Sequence, residues 1–197
     1  MSTAELVCTA VHSASPEELV DITLAAAGRG DAELQAALDD MAVPIYLTDG
    51  DGWVTFFNRA SVDFAGRTPV RGEDRWCVTW RLYTEGGAVL PHDECPMAVA
   101  IRERRPVRGV VAVAERPDGT RVLFAPYATP IMDETGELTG AVNILIDVTD
   151  ERQAAALKAQ AQRCRRLAQS VGDPQTVRTL KLMADDYEGK ARTLTGR

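Results

Sequence analysis

Three short turns rich in aspartate and glycine divide the middle of this 197-residue chain. They are Asp49-Gly50-Asp51-Gly52, Arg116-Pro117-Asp118-Gly119 and Asp133-Glu134-Thr135-Gly136, and the residues around them are rich in β-branched and aromatic side chains. Asp and Gly accept the positive φ angles that a tight antiparallel turn requires. Because turns this short cannot carry the crossover that joins parallel strands, they predict an antiparallel sheet.

The runs around these turns predict five strands. Residues between the second and third strands contain short helical pieces and loops, and the clearest helix is expected over residues 93–103. This order of elements predicts an α+β fold, in which a five-stranded antiparallel sheet has short helices on one covered face. The strands are expected over residues 43–48, 53–58, 107–115, 120–131 and 138–148.

Helical signals flank the predicted sheet. Ser15-Pro16-Glu17-Glu18 combines a hydroxyl cap, a proline at the first helical position and a glutamate that completes a capping box, so it predicts a helix that ends near Gly28. Asp31 is expected to cap a second helix. From Asp150 onward, apolar residues recur at spacings of three and four, and Asp173-Pro174 begins a second run of the same kind.

The C-terminal segment is therefore predicted to form an antiparallel helical hairpin with two narrow apolar stripes. Its net charge is +4, against −11 for residues 1–149. Narrow stripes favour burial against a second copy or another partner, and packing back on the sheet is the alternative. We divide the chain into an N-terminal extension (1–30), a sheet domain (31–149) and the helical segment (150–197). The stripe residues expected at an interface are Leu157, Ala161, Cys164, Ala168, Val177, Leu180 and Tyr187.

Composition excludes several classes of partner. Apolar residues make up 45% of the chain and charged residues 26%, as in a folded globular protein. The net charge of −7 disfavours nucleic acid and anionic membranes as partners. No apolar run approaches the roughly 18 residues of a membrane span, and the N-terminus lacks a basic signal-peptide segment. Four widely spaced cysteines suit a reducing compartment, so we expect a cytoplasmic protein.

Three motifs, in the correct order, resemble those of PAS domains. Residues 48–60 resemble the opening hairpin of that family, residues 116–121 its fourth-strand turn, and residues 140–152 its last strand running into a signalling helix. The stretch with Trp80-Arg81-Leu82-Tyr83 and Leu90-Pro91-His92-Asp93-Glu94-Cys95-Pro96-Met97 is similar to PAS sensors attached to bacterial histidine kinases. The resemblance covers about residues 31–152.

The resemblance implies a sheet whose concave face, with the middle helices, encloses a small ligand or is filled by side chains. It also implies that flanking helices carry a signal. No output domain is recognisable in the sequence, so we expect a stand-alone sensor or adaptor that acts through contacts with a separate protein. A histidine kinase or a response regulator of a two-component system would be such a partner. The apolar stripes and the habit of the family predict a homodimer.

Large side chains on the predicted sheet and middle helices are candidates for lining a pocket, although core packing alone would explain most of them. Asn143 stands out because it interrupts an apolar run, where an unpaired buried amide would cost about 1–3 kcal/mol. A ligand, a neighbouring side chain or water must satisfy it. Asn58 is expected to cap the helix that follows it. The other pocket candidates are Tyr46, Phe57, Trp76, Trp80, Tyr83, Met97, Ile101, Phe124, Tyr127 and Leu145.

His92 and Cys95 lie three residues apart at the start of a predicted helix, and a PAS pocket can hold haem with such axial ligands. The alternative function is therefore a haem-bearing gas or redox sensor. The competing interpretation is a helix capped by Asp93 and ordinary burial of Cys95. A zinc site is disfavoured because only Cys77 offers another thiol or imidazole nearby. The Asn-Cys-Arg-Phe motif of flavin-binding, light-sensing relatives has no counterpart, so no cofactor is firmly expected.

Catalytic motifs do not appear in the sequence. The chain has two histidines, His12 and His92, and lacks a nucleophile elbow, a Walker loop and a dinucleotide fingerprint. Residues 150–197 contain no histidine, so the predicted hairpin cannot accept phosphate as the dimerisation hairpin of a histidine kinase does. No ATP-binding domain follows that hairpin in the sequence. We therefore expect a protein that is not an enzyme.

Overall fold

The three aspartate- and glycine-rich turns join antiparallel strands, as predicted. A computed structural model describes residues 15–29, 36, 38–39 and 41–196 of the chain. Two units are present, Met1–Asp147 and Val148–Arg197. Within the described residues the first unit has strands β1 to β7, and the α+β class with an antiparallel sheet is confirmed. The strands are β1 Ile45–Asp49, β2 Val54–Phe57, β3 Arg81–Thr84, β4 Ala112–Glu115, β5 Arg121–Pro126, β6 Thr129–Met132 and β7 Leu138–Asp147.

The longest strand, β7, is an inner strand with neighbours on both of its edges. The order is β2-β1-β7-β5-β4-β3, and β6 also pairs with β7. One edge of β7 pairs with β1, from Ile45 opposite Ile144 to Asp49 opposite Gly140. The other edge pairs with β6 and then with β5. This strand therefore takes part in three ladders at once.

The prediction of five strands was wrong, because the described residues contain seven. Strand β3 lies where we expected only helices and loops, and it has just four residues. The strand predicted over 120–131 is divided into β5 and β6. Pro126 and Pro130 flank the division, and proline cannot donate a ladder hydrogen bond. At the division the Ala128 carbonyl accepts from the Val107 amide over 2.9 Å.

Both faces of the sheet are covered, so the prediction of one covered face was also wrong. Helices α2 (Arg59–Ala65) and α3 (Pro96–Glu103) contribute buried side chains to the core on the inner face. Helix α1 (Pro16–Arg29) contributes Leu19 and Val20 to a second core, with Ile45, Val142 and Ile144 from the outer face. Apolar residues occupy both alternating sets of positions on β7, as in strands that are buried on both faces.

Local signals set the boundaries of the described helices. The capping box of α1 forms as predicted: the Ser15 amide donates to the Glu18 carboxylate over 2.7 Å, and the Glu18 amide donates to the Ser15 hydroxyl over 3.2 Å. The helix predicted over 93–103 is divided into a 3-10 turn, His92–Glu94, and α3, because Cys95 caps α3 and Pro96 occupies its first turn. The second helix predicted from Asp31 lies largely outside the described residues.

The second unit is the predicted helical hairpin. Helices α4 (Thr149–Ser170) and α5 (Pro174–Thr195) are joined by three residues, and the Asp173 carboxylate accepts from the Thr176 amide over 2.8 Å as the cap of α5. Arg165 on α4 pairs with Asp185 and Glu188 on α5. None of the helices among the described residues combines the length and the apolarity that crossing a membrane requires.

Candidate functional site

Five residues bring polar groups together on the inner face of the sheet, and we call them the interior polar cluster: Tyr46, Trp76, Cys77, Cys95 and Asn143. Tyr46 lies on β1 and Asn143 on β7, whereas Trp76 and Cys77 precede β3 and Cys95 caps α3. Trp76 is half-buried and the other four side chains are buried. The cluster therefore connects two strands of the sheet to the helical side of the core.

The Tyr46 hydroxyl is the centre of this cluster. Tyr46 and Asn143 are directly opposite in the β1–β7 ladder, and the Asn143 side-chain nitrogen donates to the Tyr46 oxygen over 3.0 Å. The Tyr46 hydroxyl in turn donates to the Trp76 carbonyl over 3.1 Å. The Asn143 Oδ1 is buried and has no hydrogen-bond partner among the described residues. The sequence predicts that the Asn143 amide needs a hydrogen-bond partner. Among the described residues its nitrogen has one and its oxygen has none.

Cys77 and Cys95 form a pair of buried free thiols. They are 4% and 1% exposed and pack in the same inner core. The Cys77 sulfur lies 3.1 Å from the Thr79 hydroxyl, and the Cys95 thiol donates to the Trp76 carbonyl over 3.7 Å. One carbonyl therefore accepts from both Tyr46 and Cys95.

The surroundings shift the pKa values of the two thiols in opposite directions. The neighbouring Cys95 thiol is the largest influence that lowers the pKa of Cys77, and His92 and Thr79 lower it further, against the opposing effect of burial. The Cys77 sulfur, together with burial, raises the pKa of Cys95 well above its usual value. Burial first, and then the two thiols, raises the pKa of Tyr46. Cys77 is therefore the sulfur of the pair that ionises first, while Cys95 keeps its proton.

Trp76 has a strained backbone at the edge of the cluster. Its φ angle is 69°, in the left-handed region that bulky residues rarely adopt. Its indole lies so close to Gly52 that a Cβ atom there would overlap the ring. The Arg75 guanidinium stacks on the same indole, 4.5 Å from the ring centroid. Strain of this kind persists only where the surroundings enforce it, and it is commonest at functional sites.

His92 connects the thiols with a surface cleft. The cleft has a volume of about 340 Å³, and its lining includes Trp80, Tyr83, Leu90 and His92. The Nε2 atom of His92 is buried without a hydrogen-bond partner among the described residues, and His92 acts electrostatically on Cys77. Trp80, which is 48% exposed, and Tyr83 therefore lie at the surface rather than in the core.

The structure brings half of the other pocket candidates together. Tyr127 packs with the outer core and lies under the Arg108 guanidinium at 5.1 Å, so it is on the opposite face from the cluster. Phe57 and Trp76 pack at the margin of the inner core. The candidates that share the inner core are Tyr46, Met97, Ile101, Phe124 and Leu145.

Four of the seven candidate interface residues of the hairpin pack together between its two helices. Ala161 and Cys164 of α4 pack with Leu180 and Tyr187 of α5, around Ala184. Ala168 is also buried, and Leu157 and Val177 are half-buried. The large apolar side chains that the hairpin exposes are Leu167, Leu182 and Met183. The stripes are thus used to hold the two helices together.

Asn58 does more than the predicted capping. Its side-chain oxygen accepts from the Ser61 amide over 3.0 Å, so the predicted cap of α2 is confirmed. The same oxygen accepts from the Ile45 amide over 3.0 Å, and the side-chain nitrogen donates to the Leu38 and Val43 carbonyls at 3.0 and 2.8 Å. One fully buried side chain thus holds three backbone segments together.

Cys95, one of the two candidate haem ligands, has contacts that binding to iron would break. For Cys95 to bind an iron, its sulfur would have to leave both Cys77 and the Trp76 carbonyl. The part of the chain that the structure describes contains no group of three or more His, Cys, Asp and Glu side chains suited to a metal ion. The contact with the Trp76 carbonyl would compete with axial ligation by Cys95, and the haem alternative stays a prediction.

Sequence reasoning did not identify the thiol pair. Cys77 was considered only as a possible zinc ligand, and eighteen positions separate it from Cys95. The alternation in Cys77-Val78-Thr79 is the one local signal that the thiol and the Thr79 hydroxyl share a side. No sequence pattern indicates the positive φ of Trp76, which aims its carbonyl at the cluster.

Comparison with known proteins agrees with the resemblance. A family model described as PAS fold matches residues 38–153. Similar solved structures include the PAS domain of the fruit-fly ELK potassium channel, which is 13% identical, with 58% of this chain and 93% of that chain covered and a TM-score of 0.45. A PAS domain from Colwellia psychrerythraea is 20% identical, with coverages of 58% and 92% and a TM-score of 0.40.

An RNA-binding Light-Oxygen-Voltage receptor is 24% identical, with 59% of this chain covered and a TM-score of 0.44. This chain spans only 32% of that receptor. No curated protein matches the sequence. The family match, by contrast, includes all seven described strands with α2 and α3, and it extends into α4. It covers more than half of the sequence, and the chain belongs to the PAS fold family.

Proposed function

We propose that this protein is a PAS sensor in which a change at the interior polar cluster is passed along β7 to the C-terminal helices. PAS domains have sensory roles in general, and the protein belongs to that family. One observation carries the proposal: Asn143, bonded to Tyr46 in the cluster, lies on the strand that continues through Val148 into α4. A rearrangement of the cluster therefore acts on the residues that precede the hairpin.

The unpaired Asn143 oxygen supports a role for a small ligand. A ligand with a hydrogen-bond donor would satisfy Oδ1, which is buried between the apolar neighbours Ala141 and Leu145 on the inner face of β7. The residues that would surround it are Tyr46, Met97, Ile101, Phe124, Asn143 and Leu145. Native mass spectrometry of freshly purified protein tests this role, since a retained small molecule would appear as added mass. A retained molecule with a Soret band would instead support the haem alternative.

We further propose that the hairpin forms a homodimer and contacts a separate signalling protein, a histidine kinase or a response regulator. Leu167, Leu182 and Met183 give it exposed apolar area, and its positive charge contrasts with the acidic remainder of the chain. The same native mass measurement reports the number of subunits. A single-subunit mass at every protein concentration would contradict the dimer.

Hydrogen–deuterium exchange tests the passage from the cluster to the hairpin. Tyr46→Phe removes the hydroxyl that joins Asn143 to the Trp76 carbonyl. We expect altered amide exchange in β7 and in the first turns of α4. Tyr83→Phe is the matched control, because it removes a hydroxyl that contacts Glu115 at the other end of the sheet. Identical exchange of α4 in the two variants and the unaltered protein would overturn the proposed function.

A further inference from the structure

We propose that Cys77 and Cys95 form a reversible disulfide when the protein meets a hydroperoxide, so that the interior polar cluster senses oxidants. The proposal deepens the function proposed above and rests on it for the passage of the signal to the helices. It names the stimulus, an oxidant, and the two atoms that respond to it.

The geometry favours these two sulfurs. The Cys95 sulfur lies 3.7 Å from the carbonyl oxygen of Trp76, and the peptide bond of that carbonyl leads directly to Cys77. Both cysteines are free and pack in the same buried core, so the two thiols are neighbours that a small movement could join. Cys77 lies next to Trp76, whose backbone is strained, and Cys95 is the cap between a 3-10 turn and α3. Both residues are therefore at ends or bends of the chain, where a small backbone shift costs less than it would within a strand or helix.

The chemistry divides between the two thiols. The Cys77 thiolate attacks one oxygen of hydrogen peroxide: a sulfur–oxygen bond forms, the oxygen–oxygen bond breaks, and hydroxide leaves and takes up a proton to become water. Cys77 is then a sulfenic acid. The Cys95 sulfur attacks it as its proton is released, the disulfide forms, and the departing hydroxide takes that proton as a second water. Two thiols are oxidised and one peroxide is reduced, and an external thiol reverses the change.

The surface cleft gives a peroxide a way to approach. His92 lines the cleft, and its electrostatic influence reaches Cys77 and favours the thiolate. Hydrogen peroxide is not much larger than water, whereas maleimides are bulky. Because Cys77 and Cys95 are almost fully buried, we expect peroxide to react with them while a maleimide does not.

The disulfide would change the hydrogen bonds of the cluster. Cys95 would lose the S–H that it donates to the Trp76 carbonyl, and Cys77 would move relative to the Tyr46 hydroxyl that contacts it. That hydroxyl also bonds Asn143 on β7. Oxidation is therefore expected to alter the hydrogen bonding of β7, the strand that the Tyr46→Phe substitution also affects.

Peptide mapping of the full chain tests the bond itself. The protein is treated with hydrogen peroxide, the remaining thiols are blocked, and the chain is cut with trypsin without reduction. Cleavage after Arg75, Arg81 and Arg102 puts Cys77 and Cys95 in separate peptides, 76–81 and 82–102. We expect the two peptides to be joined, with the loss of two hydrogens, and to separate after reduction. Peroxide treatment that leaves them unjoined overturns the proposal.

Variants exclude the other cysteines and loss of folding. Cys8→Ser with Cys164→Ala removes both remaining thiols, and this background is expected to form the same joined peptides. Adding Cys77→Ala or Cys95→Ala to it should abolish the loss of two hydrogens, while near-ultraviolet circular dichroism shows that the fold is kept. A background variant without the bond means that the oxidation belongs to Cys8 or Cys164, and overturns the proposal.

Exchange measurements on the same samples separate this proposal from the proposed function. Oxidation is expected to change exchange in β7 and α4 in the background variant and not after Cys77→Ala. A joined peptide pair with unchanged exchange would overturn the sensing role of the bond. If Tyr46→Phe still altered α4 in that case, the proposed function would stand and the oxidant would be the wrong stimulus.

Discussion

Tyr46 and Asn143 are opposite each other in the β1–β7 ladder and share a side-chain hydrogen bond of 3.0 Å on the inner face of the sheet. This pair places a hydroxyl and an amide where the neighbouring positions, Ala141 and Leu145, are apolar. The Asn143 oxygen receives no hydrogen bond from the described residues. The pair is therefore a polar connection between two strands that core packing alone does not require.

Removing the Tyr46 hydroxyl is expected to destabilise the protein. In Tyr46→Phe the buried Asn143 amide loses its remaining partner, and an unsatisfied buried polar group costs about 1–3 kcal/mol. Urea unfolding should therefore show a loss of free energy of unfolding of that size. Tyr83→Phe, which loses a longer contact of 3.3 Å to Glu115, should lose much less. Equal losses in the two variants would contradict the buried role of Tyr46.

Asn58 is expected to be among the most sensitive positions in the sheet domain. Asn58→Ala removes a helix cap and also leaves the Leu38 and Val43 carbonyls without their donor, so we expect a loss of about 3 kcal/mol or more. Asp173→Ala removes a cap whose side chain is exposed to solvent, and it should cost less. Thermal and urea unfolding measure both. A loss at Asn58 no larger than that at Asp173 would show that the extra contacts contribute nothing.

The stability of the sheet domain is expected to depend on pH through Cys77. Its pKa is lowered from 9.0 to about 6 by the neighbouring Cys95 thiol, by His92 and by Thr79. A group with a lowered folded pKa stabilises the fold above its unfolded pKa and loses that effect as the pH falls through the folded pKa. The contribution of Cys77 should therefore rise as the pH increases from about 6 to about 9.

Comparison with Cys77→Ala measures how the contribution of Cys77 to the free energy of unfolding changes with pH. Urea unfolding at several pH values should give a difference between the unaltered protein and the variant that grows across this interval. Cys95→Ala should weaken the same pH dependence, because it removes the strongest cause of the pKa shift. Parallel stability curves for the unaltered protein and Cys77→Ala would contradict a lowered pKa.

The small residues between α4 and α5 are expected to reject larger side chains. Ala161 and Ala184 are fully buried between the helices, so Ala184→Leu should overpack the hairpin and destabilise it by about 1–3 kcal/mol. Ala155→Leu makes the same change at an exposed position of α4 and serves as the control. Helical circular dichroism during thermal unfolding distinguishes the two. Equal transitions would mean that the helices do not pack through these alanines.

Much of this fold is predictable because its signals are local. The turns at Asp49, Asp118 and Asp133, the capping box at Ser15 and the cap at Asp173 each depend on residues within five positions. Asn143 stood out because an amide in an apolar run has few ways to be satisfied. Strand β3 escaped prediction because Arg81-Leu82-Tyr83-Thr84 is too short to show a clear alternation.

The thiol pair was not predictable for a different reason. Cys77 and Cys95 meet because a positive φ at Trp76 and a 3-10 turn at His92–Glu94 redirect the chain. Neither bend contains the glycine or asparagine from which a change of chain direction is usually predicted. Likewise, Trp80 and Tyr83 have core-like side chains, yet β3 ends the strand order, so both line an open cleft.

The three ladders of β7 have a mechanical consequence. Its ten residues pair with β1 on one edge and with β6 and β5 on the other, and its carboxyl end is the point from which the hairpin departs. Tension applied through that end loads all three ladders in shear, instead of unzipping one of them bond by bond. A pull along β7 is therefore resisted by the hydrogen bonds of three ladders together.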